Sequence, residues 1–310
     1  MKNPVFANIS NGGKLLLLLG VVVVFALTSS LLGLLIGKWY LHVDLVQLAA
    51  LISQPEGKAL KFALFFQLLS QIGIFIIPAF IFGLFVAPSP WHYLKMDRKA
   101  AGISLGIITL AVYAILPFVN YLTDLNHGLH LTPPVLDNWI RAKEAQAQTM
   151  TEAFLKTDTT GGLIINLIIM AVVPAIGEEM LFRGVLQRLF VAITRNVHVG
   201  IFITAFLFSA FHMQFLGFLP RFALGIMLGY AFVMTNSLWA AIWLHFVNNA
   251  SSVIVYYLHH IGYLKISMEH FGETQNSVYI IGSLAMTIWL FIMMYNKEGA
   301  DVRMKFFEKG

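Results

Sequence analysis

The run LLLLLGVVVVFALTSSLLGLLI, from Leu15 to Ile36, contains no charged residue, and its reading decides the fold class. A helix of about twenty apolar residues crosses a hydrocarbon core of roughly 30 Å, so this stretch can span a bilayer by itself. Lys2 and Lys14 ahead of it, with the small residues from Ala26 to Ser30, have the look of a secretory signal. The apolar residues continue to Ile36, past any such cleavage point, and the expectation is an uncleaved first helix.

Seven more apolar stretches follow, giving eight candidate spans: Lys14 to Gly37, Phe62 to Ala87, Ala101 to Leu122, Gly161 to Ile176 and onward, Val199 to Leu219, Phe222 to Thr235, Leu238 to Leu258, and Val278 to Tyr295. With 58% hydrophobic and 11% charged residues and a mean hydropathy of +0.78, too few polar side chains exist to cover a water-facing globule. Backbone amides cannot be left bare in hydrocarbon, which restricts spanning structures to helices and closed barrels. Barrel strands alternate apolar and polar residues, a pattern not sustained here. The expected fold is therefore all-α, a polytopic transmembrane helical bundle of about eight membrane helices forming one membrane domain over residues 1–310.

Two segments between spans, Trp39 to Ile52 and Pro134 to Lys156, mix aromatic and aliphatic residues at helical spacing and are expected to be amphipathic interfacial helices. The formal charge of +5 sits mainly in short connections, so the lipid bilayer is the expected partner and nucleic acid is not. Lys95, Arg98, Lys99, Arg183, Arg188, Arg195, Lys297, Arg303, Lys305 and Lys309 fall on one side of the bilayer, and Asp44, Glu56, Asp124, Asp137, Glu144, Glu152, Asp158, Glu269 and Glu273 on the other. The positive-inside rule then places both termini in the cytoplasm of a multi-pass plasma-membrane protein. Short loops and the absence of an organelle-targeting sequence lean toward a bacterial host. The absence of cysteine removes disulfides, thiolate metal sites and a cysteine nucleophile.

Ionisable groups at membrane depth are costly and mark function. Three clusters stand out: Gly177-Glu178-Glu179-Met180-Leu181-Phe182-Arg183, Phe208-Ser209-Ala210-Phe211-His212, and His245-Phe246-Val247-Asn248-Asn249. Positions four apart share a helical face, so Glu179 is expected to pair with Arg183, leaving Glu178 to point elsewhere. His245 and Asn249 likewise project together. Each cluster has a bland reading. The first is also an interfacial charge group where the fourth helix leaves the membrane, His212 a satisfied core histidine, and His245 with Asn249 polar glue between helices. Depth also fits imperfectly, because His212 lies nearly 20 Å along its helix from Val199 and His245 only about 10 Å from Leu238.

Glu178-Glu179-xxx-Arg183, Phe208-xxx-His212 and His245-xxx-Asn249 resemble, in order and approximate spacing, the three motifs of the CPBP family, the CAAX-protease and bacteriocin-processing (Abi) group. The resemblance covers about a third of the chain, and the catalytic core is set at residues 161–255. It implies an intramembrane endopeptidase acting on a peptide or membrane-protein substrate, with Glu178 and His212 activating water, His245 and Asn249 stabilising the oxyanion, and Glu179 and Arg183 a structural ion pair. No cofactor is required on that reading. The alternative is Zn2+ held by Glu178, His212 and His245 with an open position for water, although HExxH is absent. No GxSG or GxGD motif supports serine or aspartate chemistry. A proton-coupled transporter would show two related halves, which are not seen, and a silent scaffold or immunity protein is the remaining rival.

Overall fold

The computed structural model describes residues 4–53, 55–130 and 132–298; Lys2, noted above ahead of the first span, and Arg303, Lys305 and Lys309, used for orientation, lie outside them. Among the described residues every regular element is helical. Helices α1 (Asn11–Leu41), α3 (Gly57–Val86), α7 (Thr160–Thr194), α10 (Leu238–His260) and α11 (Ser277–Glu298) are long and apolar enough to span, as is the segment Phe215–Thr235, a short 3-10 turn leading into α9 (Phe218–Thr235). Between them lie α2 (Leu45–Ser53), α4 (Gly102–Ala114), α5 (Leu116–His127), α6 (Pro134–Leu155) and α8 (Val197–Phe211). The chain is thus a multi-pass helical membrane protein.

Among the described residues, fewer helices reach spanning length than the eight spans expected. Six helices pass the length and hydropathy test, and a seventh span exists if α4 and α5, bent by 44° at Ile115, are taken as one. Pro117 enters the first turn of α5 and cannot continue the preceding hydrogen-bond ladder. The fifth predicted span does not run to Leu219, because α8 stops at Phe211 and Met213 turns the chain through a left-handed conformation (φ 54°). Only 15 residues long, α8 falls short of a crossing. The amphipathic segment at Pro134 is present as α6, whereas Trp39 and Tyr40 belong to the end of α1, and the short helix after them begins at Leu45.

The largest correction concerns α7. Read as a span from Gly161 to Ile176 and onward, with Glu178 near the cytoplasmic side, it runs for 35 residues from Thr160 to Thr194, so the glutamates sit in its middle. Thr159 caps its start by accepting from the Gly162 amide, and Arg195, in the left-handed region, ends it. Pro174 interrupts its ladder, and the turn just before it, Ile168–Val172, widens to π geometry, a known response to a missing amide. A second π turn follows at Phe182–Gln187.

That length also removes the depth conflict. A Cβ on Gly184 would lie 3.8 Å from Leu238, and one on Gly200 would lie 2.9 Å from the Val191 backbone. Glu178 is six residues from Gly184 and His245 seven from Leu238, both about 10 Å. His212 is twelve residues from Gly200 and Glu178 thirteen from Val191, both about 19 Å. The three residues share one level because α8 begins beside the far end of α7, well past the level at which α10 starts.

Candidate active site

Glu178, Glu179 and Arg183 are all buried, which disposes of the interfacial reading of this cluster. Arg183 is fully enclosed, so it is not one of the loop cations counted for orientation. Its Nη1 donates to Glu179 Oε1 at 2.7 Å and its Nη2 to the Gly225 carbonyl at 3.1 Å. The guanidinium lies 4.5 Å from the centre of the Phe208 ring, a cation–π contact. One turn on, Gln187 donates to the Gly229 carbonyl at 3.2 Å. The four-residue repeat on α7 thus meets a four-residue repeat on α9. Gly229 permits the approach, since a Cβ there would sit 2.9 Å from Gln187 Oε1 on α7.

Glu179 does more than neutralise Arg183. The same Oε1 atom receives His245 Nδ1 at 2.9 Å, which joins α7 to α10 and fixes the imidazole. A carboxylate has no proton to give, so Nδ1 carries the hydrogen and Nε2 presents its lone pair. The sequence reading of Glu179 as a purely structural partner is incomplete on this point.

His212 is set in the same way from another helix. Its Nδ1 lies 2.8 Å from the Phe208 carbonyl, an acceptor left free by the end of α8, and its Nε2 is therefore also a lone pair. Both rings aim at Glu178. His212 Nε2 stands 4.0 Å and His245 Nε2 3.9 Å from Glu178 Oε2, an oxygen that has no hydrogen-bond partner although it is buried. The other carboxylate oxygen, Oε1, accepts from Gln71 Nε2 at 3.3 Å. Phe75, Phe182, Phe208 and Phe211 pack edge-on or tilted around these groups, giving a low-dielectric wall.

Asn249 follows the two histidines less closely. Its Nδ2 donates to the Met170 carbonyl at 3.3 Å and its Oδ1 accepts from Asn248 at 3.1 Å. Met170 is four residues before Pro174, so its carbonyl is the one the proline leaves without a helical donor. Asn249 therefore ties α10 to the widened turn of α7, with one amide hydrogen remaining.

Gln71 escaped the sequence reading, which set the catalytic core at residues 161–255. The signal was there, in an amide within the apolar stretch of α3. Gln71→Leu is expected to lower turnover roughly ten-fold, because it strips a charged oxygen of a donor worth about 1.5–3 kcal/mol. Steady-state kinetics checks this, and unchanged kcat would assign Gln71 to packing alone.

Among the described residues no group of three His, Asp or Glu is spaced to hold a metal ion. Adjacent donors on tetrahedral zinc with bonds near 2.0–2.1 Å stand about 3.3 Å apart, whereas both imidazoles are 3.9 Å or more from Glu178. The residues present do not fit the zinc alternative.

Residues 160–251 match the family model described as type II CAAX prenyl endopeptidase Rce1-like. Over 89 residues the chain is 30% identical to the uncharacterized protein YpbD of Bacillus subtilis (strain 168), an alignment covering 27% of this chain and 42% of that relative. The chain thus spans less than half the length of the curated relative it matches. No solved structure matches. The matched segment holds α7, α8, α9 and the part of α10 that bears His245 and Asn249, so the likeness to the type II CAAX prenyl endopeptidase Rce1-like family lies in the segment that builds this site.

Proposed function

We propose that this chain is an intramembrane endopeptidase that hydrolyses a peptide bond of a membrane-associated peptide or protein with water activated by Glu178 and His212. One observation carries the reading. A buried carboxylate oxygen without a partner faces the lone pair of a neutral imidazole at 4.0 Å, a separation that suits one bridging water donating to both. The water oxygen attacks the carbonyl carbon, its proton passes to the Glu178–His212 pair, and the carbonyl oxygen becomes an oxyanion. As the C–N bond breaks, the proton goes to the departing amine.

His245 takes the oxyanion role in a specific protonation state. Glu179 accepts the Nδ1 hydrogen, so Nε2 donates to the oxyanion only when the ring carries both protons. Asn249 supplies its remaining amide hydrogen to the same oxygen. The catalytic core is the 161–255 segment, in a chain inserted in a bacterial plasma membrane with both termini cytoplasmic.

The test is cleavage of a peptide library by the purified protein in nanodiscs, with and without a chelator and read by mass spectrometry. Defined cleavage products that persist under chelation are expected. Absence of products over the whole library, from a protein that remains folded, would replace the protease reading with the scaffold one, and loss of products to the chelator would restore the zinc alternative.

A further inference from the structure

Arg221 stands in the first turn of α9 and belongs to none of the three motifs. Its guanidinium donates through Nη1 to the Gln214 carbonyl at 3.1 Å and through Nη2 to the Gln214 side-chain oxygen. It lies flat against Gly217, where a Cβ would come within 2.5 Å of Nη1 and 2.7 Å of Cζ. The absence of a side chain at Gly217 leaves the space that the guanidinium occupies.

The position of the seat matters. Gln214 is two residues beyond His212, on the exposed side of the site. The side chain of His212 is 30% exposed, against 8% for Glu178 and 4% for His245, and Phe211, Met213 and Phe215 beside it are all exposed. Through Gln214, Arg221 is tied to the segment that leaves His212 on that exposed side.

No carboxylate of the described residues comes within salt-bridge distance of Arg221; the nearby Glu144 instead accepts the Leu216 amide at 2.7 Å. A guanidinium has five N–H donors, and Gln214 engages two nitrogens from one side. A largely enclosed cation without an ion-pair partner is expensive in a membrane protein and marks a functional position.

We infer that Arg221 is a substrate-binding residue, a subsite for a carboxylate of the peptide held next to the scissile bond, either the chain's own carboxyl terminus or an Asp or Glu side chain. The planar fork of the guanidinium suits two parallel hydrogen bonds to such a group. This rests on the protease reading for the word substrate, and the experiment separates the two.

The probe is one membrane-anchored peptide library made three times: as free acids, as carboxyl-terminal amides, and as amides with an added internal Asp. Cleavage and retention are measured in nanodiscs for the wild type, Arg221→Gln, Arg221→Lys and Gly217→Ala. Free acids are expected to be cleaved with a KM at least about ten-fold lower than the amides. Arg221→Gln should abolish that preference and Arg221→Lys restore part of it. Gly217→Ala, which displaces the guanidinium while keeping the charge, should mimic Arg221→Gln and serves if the latter does not fold.

A preference shown by the internal-Asp amides alone assigns the side-chain source. Equal KM for all three libraries in the wild type, or a preference that survives in both Arg221→Gln and Gly217→Ala, overturns the subsite and leaves the protease reading intact. If nothing is cleaved, selective retention of carboxylate-bearing peptides that is lost in Arg221→Gln upholds the subsite while the protease reading falls. Equal retention overturns both.

Discussion

Glu178→Gln is expected to lower kcat by roughly 10²–10⁴, the range over which a positioned general base contributes, with thermal stability unchanged. The amide keeps the shape of the carboxylate, and its oxygen can still accept from Gln71, as Oε1 does at 3.3 Å. The amide nitrogen would face two imidazole lone pairs, an arrangement that costs the fold nothing. What disappears is the capacity to take a proton. His212→Gln should reduce kcat comparably, and the double variant should be little worse than either single one, because residues that act as a unit are non-additive. Single-turnover kinetics on a cleaved library peptide measures all three. Wild-type kcat in Glu178→Gln would sink the mechanism, and strictly multiplicative losses would mean that Glu178 and His212 do not share one water.

Much of this site is legible in the sequence, and the illegible parts have physical causes. Glu179 and Arg183, four apart, announce their pairing by helical periodicity, and the structure sets them 2.7 Å apart. The meeting of Glu178, His212 and His245 required a level for each helix, and here the reading failed. Polar residues at 177–179 look like the end of a span, but they are stabilised within α7 by one another and by α9, so the helix continues. The end of α8 was equally hidden, since hydrophobic residues continue from Phe215 to Leu219 although the backbone turns at Met213. Contacts such as Gln71 with Glu178 and Asn249 with Met170 join elements 107 and 79 residues apart, and no local pattern encodes them.

Glu179 offers the sharpest separation of stability from chemistry. Glu179→Ala leaves the enclosed Arg183 without its carboxylate, and Arg183→Ala leaves Glu179 beside Glu178 with no cation. Removing one member of a buried pair costs roughly 3–5 kcal/mol, so each single variant should show a clearly lowered Tm or fail to accumulate. The double variant removes both charges and should be milder than the sum of the two. Were the pair purely structural, activity would return with stability. It should not return, because His245 Nδ1 has lost the acceptor that fixes its ring at 2.9 Å. The expected double variant is folded, closer to the wild type in Tm than either single variant, and reduced in kcat with KM little changed, since an interaction made only in the transition state has been removed. Tm by fluorescence-detected gel filtration and kcat on the same preparation check both halves. A stable double variant with full kcat would return Glu179 to a purely structural role and leave His245 to be oriented by packing against Phe208, whose ring centre is 5.7 Å from its own.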